Sequence, residues 1–389
     1  MPSTGSTTSP RTVLLVYGTR PEAIKMAPLV TALQDTDGLR PVVVVTGQHR
    51  HMLDQVNALF DIHPAYDLDI LQPGQTLEQI TTRALEGLGA VVGAEAPDVV
   101  VVQGDTTTSM VAALAAAYQK VPVVHVEAGL RTHDRYSPFP EEINRRLTTQ
   151  LASLHLAPTA LSRANLLREG VAAADVTVTG NTVIDALLQV VGRTRKQVPS
   201  AVAGLAQDDR RVVLVTAHRR ESWGAPMAAV ARAVARVAAS CPDVHVVIPL
   251  HLNPVVRKAV VPVLSTVPNV TVLEPLDYAS FAWLQDRCHV VLTDSGGVQE
   301  EAPSLGKPVL VTRENTERPE AVDAGTVRLV GTNEDRVHDA LLELLTDPAA
   351  HARMATAVNP YGDGRAAERS AAAVAEFLGV GRRLEEFRP

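Results

Sequence analysis

The residues in this chain that could do chemistry gather in short segments rather than scattering. Gly18-Thr19-Arg20-Pro21-Glu22, followed by Lys25, joins a turn residue, a helix-starting proline and two cations. Arg20 and Lys25 then lie near a helix N-terminus, where anions are favoured; a solvated turn with two surface cations fits the same residues. Gly104-Asp105-Thr106-Thr107-Thr108 offers a carboxylate for proton transfer, although Asp105 equally suits a helix cap. Glu127-Ala128-Gly129-Leu130-Arg131 puts an acid directly after an apolar run, a costly place unless the acid is paired or functional, with Arg131 as the nearest ion-pair partner. Pro140-Glu141-Glu142 reads as the first turn of a helix, where two acids also complement the macrodipole. His218-Arg219-Arg220-Glu221-Ser222 is a phosphate-facing cluster or an exposed basic turn. In Asp294-Ser295-Gly296-Gly297-Val298-Gln299-Glu300-Glu301, Ser295, Gly296 and Gly297 let backbone N–H groups approach a phosphate, and Glu301 falls within reach of a ribose diol. Arg313 and Thr316-Glu317-Arg318-Pro319-Glu320 add further charge. Cations of this kind suit a diphosphate, and the carboxylates suit proton transfer or sugar hydroxyls.

Almost every one of these segments follows a short Val-rich run. Strands are expected at Val13–Tyr17, Pro41–Thr46, Asp98–Gln103, Pro122–Val126 and Val176–Val178, with helices such as Glu22–Gln34 and Ser109–Lys120 between them. The pattern pauses at Lys196–Arg210, which carries Pro199, Ser200 and Gly204 and reads as a boundary. It restarts at Arg211–Thr216, His245–Pro249, Val270–Leu273, His289–Thr293, Pro308–Val311 and Thr326–Val330. Nearly continuous hydrophobicity marks strands buried on both faces of parallel sheets. The expectation is an α/β protein with two doubly wound, Rossmann-like parallel-sheet domains facing a central cleft. Residues 1–10 form a tail, 11–185 the first domain with the acids, 186–364 the second domain, and 365–389 a C-terminal amphipathic helix packing back on the first. Ligands of such sheets sit beyond the carboxyl ends of the strands, where the polar segments fall.

Composition narrows the function. With 36 Lys+Arg against 43 Asp+Glu, the net charge of −7 lacks the bulk positive field of a nucleic-acid binder, and aromatics at 3% are too few for base stacking. Cys241 and Cys288 cannot build a disulfide framework and fit a reducing, cytoplasmic setting. The start, MPSTGSTTSP, has the character of neither a signal peptide nor an anchor, and no stretch reaches the roughly 18–20 apolar residues of a membrane span. The histidines lack metal-ligand spacing, and neither G-x-G-x-x-G nor a P-loop is present, so no metal or cofactor is expected.

Taken in order, Gly18-Thr19-Arg20-Pro21-Glu22, Gly104-Asp105-Thr106, His125-Val126-Glu127-Ala128-Gly129-Leu130-Arg131, Pro140-Glu141-Glu142, Gly180-Asn181-Thr182, His218-Arg219-Arg220-Glu221, Asp294-Ser295-Gly296-Gly297 and Thr316-Glu317-Arg318-Pro319-Glu320 resemble the non-hydrolysing UDP-N-acetylglucosamine 2-epimerases over nearly the whole chain. The resemblance implies a glycosyltransferase-B type fold and an isomerase that interconverts UDP-GlcNAc and UDP-ManNAc through elimination of UDP to 2-acetamidoglucal and re-addition, without a redox cofactor. It implies catalytic roles for Asp105, Glu127, Glu141 and His218. It implies nucleotide binding by Arg20, Ser295, Gly296, Gly297, Glu301, Arg313 and Phe281, the last against uracil, with Lys25 on the phosphate side. Gln48, His49, Gln75 and His251 resemble parts of an activator pocket for UDP-GlcNAc, and Gly74 stands where the clearest such pockets carry arginine. A homodimer is implied in the same way. A hydrolysing epimerase releasing ManNAc and UDP, a glycosyltransferase of the same fold, and a non-catalytic nucleotide-sugar binder are the competing readings.

Overall fold

The computed structural model describes residues 9–47, 50–70, 72 and 74–389. The chain divides into two compact units, one running through Ala186 and completed by Gly362–Arg388, the other spanning Leu187–Tyr361.

The first unit is built on seven parallel strands: β1 (Arg11–Tyr17), β2 (Leu39–Val45), β3 (Tyr66–Asp67), β4 (Val99–Gln103), β5 (Val123–Val126), β6 (Leu154–Ala157) and β7 (Val176–Val178), in the order β3-β2-β1-β4-β5-β6-β7. Val99 to Val102 are fully buried, as helices on both faces of the sheet demand. Each such side chain contributes roughly 1.5–3 kcal/mol by leaving water. The second unit has β8 (Arg211–Thr216), β9 (Val244–Pro249), β10 (Val270–Leu273), β11 (Val290–Thr293), β12 (Val309–Val311) and β13 (Val327–Leu329), in the order β10-β9-β8-β11-β12-β13. All neighbours in both sheets pair in parallel. Both are therefore doubly wound, and each reverses its strand order once, between β1 and β4 and between β8 and β11.

Two strands went unread in the sequence. β3 is two residues long, and β6 is a four-residue LHLA run that begins three residues after the helix Glu141–Leu151 ends. Neither is long enough to show a period of its own. The segment Lys196–Arg210 belongs to the second unit, where a 3₁₀ turn at Ser200–Leu205 buries Val202 and Leu205 in the core with Trp283 and Tyr361.

The C-terminal helix Ala366–Phe377 packs on helix Arg20–Gln34. Its first turn is capped from afar by Asp185, which accepts the N–H groups of Ala366 (3.2 Å) and Ala367 (2.8 Å). Burial pushes the Asp185 carboxyl up to about 6 in spite of these bonds. Beyond the helix, Phe387 N–H donates to the Val178 carbonyl on edge strand β7 (2.8 Å), and Glu386 pairs with Arg163 (2.8 Å). Among the described residues no helix is long and apolar enough to cross a membrane.

Candidate active site

In the first unit the polar side chains follow β1, β4 and β5. Glu127 comes directly after β5 with φ of +62°, a left-handed conformation that costs a non-glycine residue of order 1–3 kcal/mol. The strain holds its carboxylate among donors: Lys25 Nζ in an ion pair, Gln103 Nε2 at 2.8 Å and Asn181 Nδ2 at 3.5 Å. Arg131, the partner expected from spacing, is instead forked onto Glu169 (2.8 and 2.7 Å) and Thr149. Gly129 between them has φ of +93°, and a Cβ there would run into the backbone of Ser162.

Asp105 does not cap the helix Thr107–Tyr118; Thr106 does, accepting from Ser109 N–H at 3.1 Å. Asp105 instead pairs with Arg145, and Asn144 Nδ2 holds its backbone carbonyl at 3.0 Å. Glu142, fully buried, steadies Arg145 (2.8 Å) and Arg146 (3.0 Å) from the same helix. Glu141 opens that helix, and its Oε2 is buried without a hydrogen-bond partner. Beneath these groups His125 is wholly buried, and burial pulls its imidazole down to about 3. It is therefore neutral, and its Nε2–H donates to the Gly104 carbonyl at 2.7 Å, fixing the turn that presents Asp105.

In the second unit His218 follows β8 and Asp294 follows β11. Asp294 is 1% exposed; its Oδ1 lies 2.8 Å from His218 Nδ1, and its Oδ2 accepts the backbone N–H groups of His218 and Arg219, each at 2.8 Å. Burial pushes the Asp294 carboxyl up, but the His218 bond and charge and the two N–H bonds outweigh it and hold the carboxyl below its ordinary range. With Nδ1 facing Asp294, Nε2 is the imidazole nitrogen turned away from that carboxylate. Glu317 gathers three guanidinium groups: Arg313 (2.6 Å), Arg219 (3.2 Å) and Arg318 (3.9 Å). Burial opposes its charge, yet Arg318, a backbone N–H, Arg313 and Arg219 bring its carboxyl down to about 2. Arg318 is also held by buried Glu300 at 2.6 Å, and a Cβ on Gly296 would meet Arg318 Nη1 at 2.6 Å, so only glycine lets the two segments approach. Ser295 and Gly297 flank Gly296 at the start of helix Gly296–Glu301. Glu301 receives Gln285 Nε2 (2.9 Å) and the Tyr278 hydroxyl (3.4 Å); burial and the Glu301 charge raise that hydroxyl well above its usual range, so it remains a donor. Phe281 is half-buried on the helix Tyr278–Arg287, against the core.

Of the remaining expectations, Arg20 opens helix Arg20–Gln34. Lys25, placed on the phosphate side by resemblance, has a carboxylate partner in Glu127. Gln75 makes local bonds, accepting from Gln72 N–H and Arg83 at 3.0 Å each. His251 is exposed and accepts from Asn253 N–H at 3.1 Å. Gln48 and His49 lie outside the described residues. Sequence reasoning passed over Gln103, Asn181, Arg145 and Asp294 as site residues. The signal for each was there: all sit in or beside the quoted strand-end segments, but a partner is recognisable only once the strand order is known.

A sequence model of the UDP-N-acetylglucosamine 2-epimerase family matches residues 31–375. The UDP-N-acetylglucosamine 2-epimerase of Yersinia pestis is 55% identical over 92% of this chain and 96% of its own length. The UDP-GlcNAc 2-epimerase from Neisseria meningitidis, solved bound to UDP-GlcNAc, is 48% identical with a TM-score of 0.86, over 94% of this chain and 99% of that one. The S. aureus MnaA–UDP co-structure is 45% identical with a TM-score of 0.87, over 97% of this chain and 100% of that one. With two doubly wound units, strand-end acids and a carboxylate-backed histidine, the chain belongs to the UDP-N-acetylglucosamine 2-epimerase family.

Proposed function

We propose that the protein is an isomerase that interconverts UDP-GlcNAc and UDP-ManNAc by inversion at C2 of the sugar. The observation that carries this reading is the contrast in chemical offer: the first unit presents carboxylates already seated on cations, Glu127 on Lys25 and Asp105 on Arg145, while the second presents guanidinium groups and a histidine seated on Asp294. The reaction needs both. The C2 proton is not alpha to a carbonyl, so the C1–O bond to UDP must weaken first, placing positive charge on the ring and acidifying C2–H. The electron pair of C1–O leaves with the β-phosphate, and that of C2–H closes the C1=C2 double bond of 2-acetamidoglucal. Arg219, Arg313, Arg318 and His218 meet the departing diphosphate; Glu301 and Phe281 hold the nucleoside; Ser295, Gly296, Gly297 and Arg20 complete the anion contacts. Asp105, Glu127 and Glu141 share removal of the C2 proton, its return to the opposite face, and stabilisation of the cation. Re-addition of UDP reverses the first step. The protein acts in the cytoplasm as a homodimer.

Incubation with UDP-GlcNAc in D₂O, followed by NMR, tests the reading. Deuterium at C2 together with a UDP-ManNAc signal is expected. Free ManNAc and UDP accumulating in equal amounts would instead mark a hydrolysing enzyme, and absence of exchange at C2 would remove epimerisation altogether.

A further inference from the structure

We infer that Glu22 and Thr106 are positioning residues that set the catalytic acids of the first unit, through a hydrogen-bonded link across the reversal between β1 and β4. Glu22 is 1% exposed although it carries a carboxylate. Its Oε2 accepts the backbone N–H groups of Gly18 (3.0 Å) and Thr19 (2.8 Å) on the loop that leads to Arg20. Its Oε1 accepts the hydroxyl of Thr106 (2.5 Å) and lies 2.9 Å from Ser109 Oγ, both beyond β4. Gly18 N–H, Thr19 N–H and Thr106 O–H each donate to it, while the single Ser109 proton serves either Glu22 or the Gln103 carbonyl, which lies 2.6 Å away.

A capping box needs only the first pair of bonds. The second pair reaches 84 residues along the chain, to the neighbour of Asp105. The link continues from there. Ser109 Oγ also lies 2.6 Å from the Gln103 carbonyl, and the Gln103 side chain donates to Glu127. Lys25, on the helix that Glu22 caps, closes the circuit by pairing with Glu127. Glu22 thus ties together the three strand-end segments that carry Arg20, Asp105 and Glu127, at a depth where it cannot meet substrate itself. Misplacing a reacting group by about 1 Å costs on the order of 100-fold in rate, so a link of this kind acts on turnover more than on binding.

The inference rests on the epimerase reading, and the test keeps the two apart. Thr106→Val removes the donor to Glu22, and Thr106→Ser keeps it. With UDP-GlcNAc as substrate, Thr106→Val is expected to lower kcat roughly 10- to 100-fold with KM within about twofold, and Thr106→Ser to restore it. A merely structural role, loss of the helix cap, would lower the melting temperature and leave kcat in place. The ¹³C resonance of the Asp105 carboxyl, identified by its absence in Asp105→Asn, gives a second readout that needs no turnover. It is expected to move in Thr106→Val and to return in Thr106→Ser. An unmoved resonance, or kcat within twofold of the parent, would overturn the inference; a parent protein without exchange at C2 would overturn the epimerase reading while the resonance still decides the link.

Discussion

Both units close the point where their strand order reverses with a buried carboxylate, Glu22 in the first and Asp294 in the second, and each takes two consecutive backbone N–H groups: Gly18 and Thr19 in one, His218 and Arg219 in the other. They differ in what else they hold. Glu22 has only neutral hydroxyls, and burial wins, raising its carboxyl above the ordinary range despite its hydrogen bonds. Asp294 has a histidine, and its partners win over burial, lowering it. The first lock is a fastener for neighbouring acids, whereas the second is itself the seat of a chemical group. The polarity of the two sites follows: acids supported by cations in one unit, cations and an imidazole supported by acids in the other.

The largest expected effect removes one of the positioned acids rather than the lock. Glu127→Gln keeps the shape and the Gln103 bond but discards a carboxylate proposed to share the proton transfer, and should lower kcat by about 10²–10⁴-fold with an unchanged far-UV circular dichroism spectrum. A loss below tenfold would take Glu127 out of the proton path. Next comes Asp294→Asn. It turns one acceptor oxygen into a donor facing donors, so unfolding free energy should fall by about 1–3 kcal/mol, read by urea titration, together with kcat. Equal kcat in Asp294→Asn and the parent would leave Asp294 with no bearing on turnover and erase the distinction.

The smallest effect is in pH dependence, and its sign separates the two locks. Asp294 is lowered from 3.8, so its contribution to stability is present above that pH and is lost as pH falls through its folded value. Glu317 behaves alike between 4.5 and about 2. Glu22 is raised from 4.5, so its contribution is full below that pH and is lost as pH rises through its folded value. The penalty of Asp294→Asn should therefore shrink on acidification, while that of Glu22→Gln should shrink as pH rises above 4.5. Parallel trends in denaturation measured across pH would contradict the contrast.

The sequence makes the strands and the polar loops legible for one reason. In a parallel sheet buried on both faces, hydrophobic continuity ends where the strand ends, so runs such as Val99–Gln103 and Val290–Thr293 mark both the element and the place where chemistry begins. What stays hidden depends on lateral order. Glu127 follows β5, yet two of its partners lie in or beyond β1 and β4, and no spacing rule chooses Lys25 over the nearer Arg131. Glu22 is hidden for a different reason: a proline and an acid in a first helical turn satisfy a capping rule fully, so nothing in the sequence asks for a second role. β3 and β6 escape because hydrogen bonding to neighbours, rather than their own few residues, defines them as strands.

The first unit is discontinuous: it pauses at Ala186 and resumes only at Gly362. During synthesis its sheet leaves the ribosome early but lacks its last helix, and Asp185 has no amide groups to receive, until the final residues have emerged. The later-encoded unit can therefore finish folding first. Premature termination near the C-terminus would damage the half of the protein that was translated earliest.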